Sequence, residues 1–184
     1  MADRPARKPK PARARGPKKT GPKIVLSIVD DAWERTLPDV ENIAQAAARL
    51  ALDGVEQADR IEISIVLTND AEIRELNRTW RGQDKPTNVL SFPGETDTSA
   101  PAAPVLLGDI VVAFETATRE VNDDHAAASL ADHLAHLIVH GVLHLLGYDH
   151  EIDAEAEEME QLETELLAQL GIPNPYQDHE RRTS

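Results

Sequence analysis

Two β-branched runs mark the first third of the chain. IVLSIVD at 24–30 and IEISIVL at 61–67 have strand length, and in the second Glu62 and Ser64 alternate with Ile61, Ile63, Ile65 and Leu67, which predicts one buried and one wetter face. Between them, Pro38 to Leu52 is alanine-rich and sets Ile43, Ala47 and Leu50 at helical spacing, with Gly54 beyond it as a stop. Asn69 or Asp70 can cap a short helix running to Asn77, with Ile73 and Leu76 facing inward. NVLSFP at 88–93 and LLGDIVVAF at 106–114 predict two further strands, separated by ETDTSAPAAP, whose Pro, Ala and Thr content makes an exposed loop.

The second half changes period. Helices are expected at 115–123, 127–146 and 153–170, the last carrying Met159, Leu162, Leu166 and Leu170 on one stripe and ended by Gly171 and Pro173. No internal repeat is present. The order of elements predicts a single α+β domain, a mixed sheet of about four strands packed with about five helices. The direction of each strand pairing stays open.

Length and composition agree with one domain. At 184 residues, 41% hydrophobic and 28% charged, the chain can bury a core without a second domain. It has no cysteine, so any transition metal must be held by histidine and carboxylate. No apolar run approaches the roughly 20 residues that span a bilayer, and the N-terminal stretch lacks the apolar centre of a secretory signal. A soluble cytoplasmic protein is expected, with no membrane partner.

Charge divides the chain more sharply than hydropathy does. Residues 1–23 carry nine Lys or Arg against Asp3 alone, a formal +8, so the remaining 161 residues carry −22. With five prolines and almost nothing apolar, 1–23 is expected to be a disordered basic arm, followed by a folded domain at 24–176 and a tail at 177–184. The arm is either an inert solvated tail or a nonspecific phosphate-binding segment, since clustered Lys and Arg release counterions from nucleic acid.

Chemistry concentrates in HGVLHLLGYDH at 140–150, which places three of the chain's 7 histidines at intervals of four and six. At about 100° per residue, His140 and His144 lie one turn apart on the same helical face. Gly147 can take the left-handed conformation that ends a helix and turn His150 back toward them. Three converging nitrogens with an open position are the ligand set of a catalytic zinc site. Asp149 is a candidate fourth ligand or supporting partner. His133 and His136 extend the stripe toward the helix start; either offers a nitrogen in place of one of the three, and both suit hydrogen bonding behind the ligands.

The spacing H-x3-H-x2-G-x2-H also belongs to metzincin-like metallopeptidases, in which the residue after the first histidine is the glutamate general base. Here it is Gly141. The zincin-like metal-binding helix is shared, but the peptidase proton acceptor is missing.

The chain resembles the YbeY-type endoribonucleases, a family of rRNA maturation factors. The resemblance is carried by HGVLHLLGYDH, by LNRTWRGQDKPTNVLSFP at 76–93, by LLGDIVV at 106–112 and by EAEEMEQLETELL at 155–167. It runs from about Ile61 to Tyr176, and the basic arm is not part of the family pattern. It implies a zinc-dependent, single-strand-specific endoribonuclease, one Zn2+ per chain, that matures the 3′ end of small-subunit rRNA and takes part in ribosome quality control.

Carried over by position, His140, His144 and His150 match the family's metal-binding histidines and Arg81 its functionally important arginine. Zinc lowers the pKa of bound water to about 7, which makes a protein base dispensable and Gly141 less puzzling. Arg81 can fork onto two phosphate oxygens and stabilise transition-state charge; Lys85 can add a phosphate contact. Single-stranded RNA, small-subunit rRNA and the small ribosomal subunit with its proteins are the implied partners, and DNA is not expected. The strongly acidic folded part repels RNA at long range, so the acidic helix near 151–165 is expected to face away from substrate. That charge also motivates an alternative, a metal-stabilised noncatalytic assembly factor that binds ribosomal proteins.

Overall fold

The computed structural model describes residues 21–95, 104–123, 129–148 and 153–176. Its strands are β1 (Lys23–Ile28), β2 (Ile61–Thr68), β3 (Val89–Pro93) and β4 (Val105–Ala113), and its helices α1 (Ala32–Thr36), α2 (Val40–Ala51), α3 (Asp70–Arg81), α4 (Phe114–Asp123), α5 (Leu130–Leu145) and α6 (Asp153–Gln169). The sheet order is β1-β2-β4-β3. β1 and β4 both pair parallel to β2, and β3 pairs antiparallel to β4 as an edge strand. The fold is therefore α+β with a mixed four-stranded sheet.

Strand alternation assigns the two faces. Ile63, Ile65 and Leu67 of β2 join Ile110 and Val112 of β4 in the main core, beneath α2 and α5. The opposite parity, Val111 and Ala113 of β4 with Leu90 of β3, packs under Ile73 of α3 in a smaller cluster. α3 and α5 consequently lie on opposite faces of the sheet.

Two helices depart from the pattern reading. α1 was not expected, since five residues cannot show a period; Trp33 fixes it. Fully buried, it donates its indole N–H to the Thr68 carbonyl at 3.0 Å and meets Phe114 edge-on. α3 runs to Arg81 instead of stopping at Asn77, because its C-cap is Gly82 at φ 68°. Asn77 is buried and donates from Nδ2 to the Lys85 carbonyl at 2.8 Å, so it fastens the following loop instead of ending the helix.

α5 begins at Ser129, whose side chain accepts from the Asp132 N–H. It ends at Gly147 with φ 95°, the Tyr148 N–H reaching the Leu143 carbonyl and the Gly147 N–H that of His144, as in a Schellman turn. At Gly141 α5 lies close against the sheet. A Cβ there would sit 3.0 Å from two Ile110 carbons and 3.1 Å from Ser91 Oγ.

On α6 the buried stripe is Met159, Glu163 and Leu167, flanked by half-buried Leu162 and Leu166. Leu170 is exposed, which corrects the expected stripe by one position. No helix among the described residues is long and apolar enough to cross a membrane.

Candidate metal centre and the loop beside it

One turn of α5 sets His140 and His144 with their Nε2 atoms 3.0 Å apart. Each ring is fixed from behind. His140 Nδ1 lies 2.7 Å from Glu163 Oε1, and His144 Nδ1 lies 3.0 Å from the Tyr148 carbonyl oxygen. A carboxylate and a carbonyl can only accept, so both Nδ1 atoms carry the proton. With both Nδ1 protons held from behind, the two Nε2 atoms are left facing each other, placed to share a proton or a metal ion. The Gly147 turn thus has a second use: it carries the Tyr148 carbonyl onto His144.

Glu163 is the hub behind the histidines. Its side chain is 1% exposed, and its Oε2 accepts from His136 Nε2 at 3.0 Å and from the Tyr176 hydroxyl. Burial disfavours its charge, yet the hydrogen bonds from His136 and His140 outweigh burial and hold its pKa down to about 2. Burial, reinforced by the Glu163 charge, pushes the Tyr176 hydroxyl up, so it stays a neutral donor. His136, His140 and Glu163 each bring a ligand atom within 4.8 Å of the others and form a group that could hold a metal ion.

His133 belongs to a separate chain of contacts. Its Nε2 donates to Glu120 Oε2 at 2.8 Å, and the same oxygen accepts from Asn88 Nδ2 at 3.0 Å. Burial pushes the Glu120 pKa up, but the hydrogen bonds from His133 and Asn88 prevail and leave it lowered. Asn88 Oδ1 in turn accepts the Val89 N–H at the start of β3. Loop 82–88 is therefore pinned at one end to α3 through Asn77 and at the other to the histidine helix through Glu120.

Arg81, the last residue of α3, and Lys85 in that loop are exposed. Arg81 lies beyond the helix end expected at Asn77 and instead closes α3, across the sheet from α5. Asp149 and His150 lie outside the described residues, as does most of the arm; Lys23, assigned to the arm, is the first residue of β1.

A family model described as Endoribonuclease YbeY matches residues 27–171. The chain belongs to the YbeY endoribonuclease family. Among YbeY proteins, it is 53% identical to Endoribonuclease YbeY of Paramagnetospirillum magneticum over 157 residues, covering 83% of this chain and 94% of that protein. It is 50% identical to that of a Bradyrhizobium species over 164 residues, covering 87% and 95%. A solution structure of a Thermotoga maritima protein aligns over 86% of this chain and 93% of that one, with 25% identity and a TM-score of 0.49.

The YbeY match contains the histidine helix, Glu120 and Glu163, and stops short of Tyr176. Sequence reasoning missed Glu163 because a glutamate in a run of acidic residues reads as solvated surface. Its signal was its place, four residues from both Met159 and Leu167 on the apolar stripe.

Proposed function

We propose that this protein is a zinc-dependent endoribonuclease that cuts single-stranded RNA, maturing the 3′ end of small-subunit rRNA and serving ribosome quality control in the cytoplasm. The observation that carries the reading is the pair of Nε2 atoms 3.0 Å apart on His140 and His144, each ring held from behind at Nδ1. The name of the YbeY relatives supports RNA as the substrate.

We assign His140, His144 and His150 as the ligands of one zinc per chain. His136 belongs behind them, because Glu163 already takes its Nε2. When bound, zinc supplies Lewis acidity at the phosphate and water acidic enough to ionise near neutral pH. Glu163 and the Tyr148 carbonyl keep the two rings oriented and in one tautomer. Arg81 grips the phosphate in a two-pronged contact that strengthens as charge builds there, and Lys85 adds a point charge. The basic arm supplies the long-range attraction that the acidic domain lacks.

Gly141 argues against a peptidase on physical grounds. Any side chain here starts from a Cβ that presses on Ile110 and Ser91, so a glutamate base is disfavoured at this position. The test of the reading is cleavage of a small-subunit rRNA 3′ fragment, offered single-stranded and as a duplex, before and after chelation. Single-strand cleavage that chelator abolishes and zinc restores is expected. Absence of turnover in zinc-loaded protein, with RNA or ribosomal protein still bound, would instead favour the assembly-factor reading.

A further inference from the structure

The last turn of α3 carries a side chain that the core does not use. Ile73 and Leu76 face the sheet, but Trp80 keeps 70% of its surface exposed, and its ring contact among the described residues is an edge-on approach to Phe92, centroids 6.2 Å apart. Most of the indole face is therefore open to a ligand.

The charges around it say which ligand. Nine Lys and Arg lie in the described residues. Lys23, Arg35, Arg49, Arg60, Arg74, Arg78 and Arg119 all make side-chain hydrogen bonds or ion pairs. Arg81 and Lys85 make none among these residues, although Glu75 and Asp84 stand nearby in sequence and are taken by Arg78 and Arg74. In a domain rich in carboxylates, the two unengaged cations follow the one exposed tryptophan in sequence, Arg81 at the helix end and Lys85 in the next loop. An aromatic face beside free cations is the donor set that single-stranded nucleic acid uses, the base stacking and the phosphate pairing.

Edge strand β3 connects this surface to the histidine helix. Ser91 Oγ donates to the Gly141 carbonyl on the α5 side, while its neighbour Phe92 meets Trp80 on the α3 side. Because β3 is an edge, a flexible strand crossing it reaches both faces within a few nucleotides, which a rigid duplex cannot do.

We propose that Trp80 is a stacking platform for an unpaired RNA base, with Lys85 taking an adjacent phosphate while Arg81 keeps the phosphate assigned to it above. The proposal rests on the RNA reading above and adds a base subsite on the far side of β3 from the metal centre. It also gives a physical reason for preferring single strands, since a paired base has no free face to offer.

The experiment compares two single-stranded 12-mers that resist cleavage, both all-2′-O-methyl, one with bases and one abasic throughout, on the full zinc-loaded chain. Trp80→Ala should weaken binding of the base-bearing strand by about tenfold to a hundredfold and leave the abasic strand unchanged, whereas Trp80→Tyr should retain most of the affinity. In the wild type, where Trp33 is fully buried, acrylamide quenching reports Trp80. The base-bearing strand should shield it and the abasic strand should not. Equal affinity of wild type and Trp80→Ala for the base-bearing strand, or no shielding of Trp80 by bound strand, would overturn the stacking proposal alone and leave this face to a protein partner. Failure of the wild type to bind either strand would overturn the RNA reading with it.

Discussion

His140 and His144 meet through their Nε2 atoms 3.0 Å apart, with Glu163 behind one ring and the Tyr148 carbonyl behind the other. The local backbone alone does not produce this. An i, i+4 pair on a helix brings the rings together, but it takes an acceptor at each Nδ1 to turn both lone pairs inward. Those acceptors come from a buried glutamate of α6 and from a glycine-dependent turn.

Glu163→Gln should therefore cost metal affinity before it costs fold. The amide keeps the shape but loses the charge that binds His140, His136 and Tyr176. Partners of this kind are typically worth about tenfold to a hundredfold in metal affinity. Competition with a chromophoric chelator reads this directly, and unchanged zinc affinity would remove Glu163 from its orienting role.

Gly141→Ala tests the packing of the same helix. Alanine gains about 1 kcal/mol of helix propensity over glycine, but its methyl group would meet buried Ile110 at 3.0 Å, and overpacking typically costs about 1–3 kcal/mol. A net loss of about 1 kcal/mol is expected in urea denaturation. A stabilised variant would mean that α5 can lift off β4 freely.

Much of the fold could be read in the sequence, and the failures have physical causes. The four strands followed from β-branched runs and period, and Gly147 from its place after an apolar helix. α1 was invisible because a single turn held by one Trp has no periodicity. Neither the strand order nor the placing of α3 and α5 on opposite faces could be read, since parity says which residues share a face and not which helix covers it. The histidine pair was visible from spacing, whereas Glu163, Tyr176 and the Glu120 bridge depend on contacts 13 to 40 residues apart, which no local pattern encodes.

The Glu120 bridge carries a pH signature. Its folded pKa is lowered by the His133 and Asn88 hydrogen bonds, against burial. Its stabilisation is complete above the ordinary carboxylate value and is lost as pH falls through the lower folded value. The thermal stability gap between wild type and Glu120→Gln should accordingly be present at pH 6 and shrink below about pH 4.3. A gap that stays constant into acid would show that the charge of Glu120 contributes nothing.

The claim that this centre is a metal-dependent ribonuclease is tested most directly by two variants assayed side by side for zinc per chain and for single-turnover cleavage of a single-stranded rRNA fragment. His144→Ala is predicted to lose both. Arg81→Ala is predicted to stay folded and zinc-replete yet lose about 10² to 10³ in rate, with Arg81→Lys only partly restored, since a point charge lacks the fork. A His144→Ala protein that still cleaves at the wild-type rate would contradict the account at its centre.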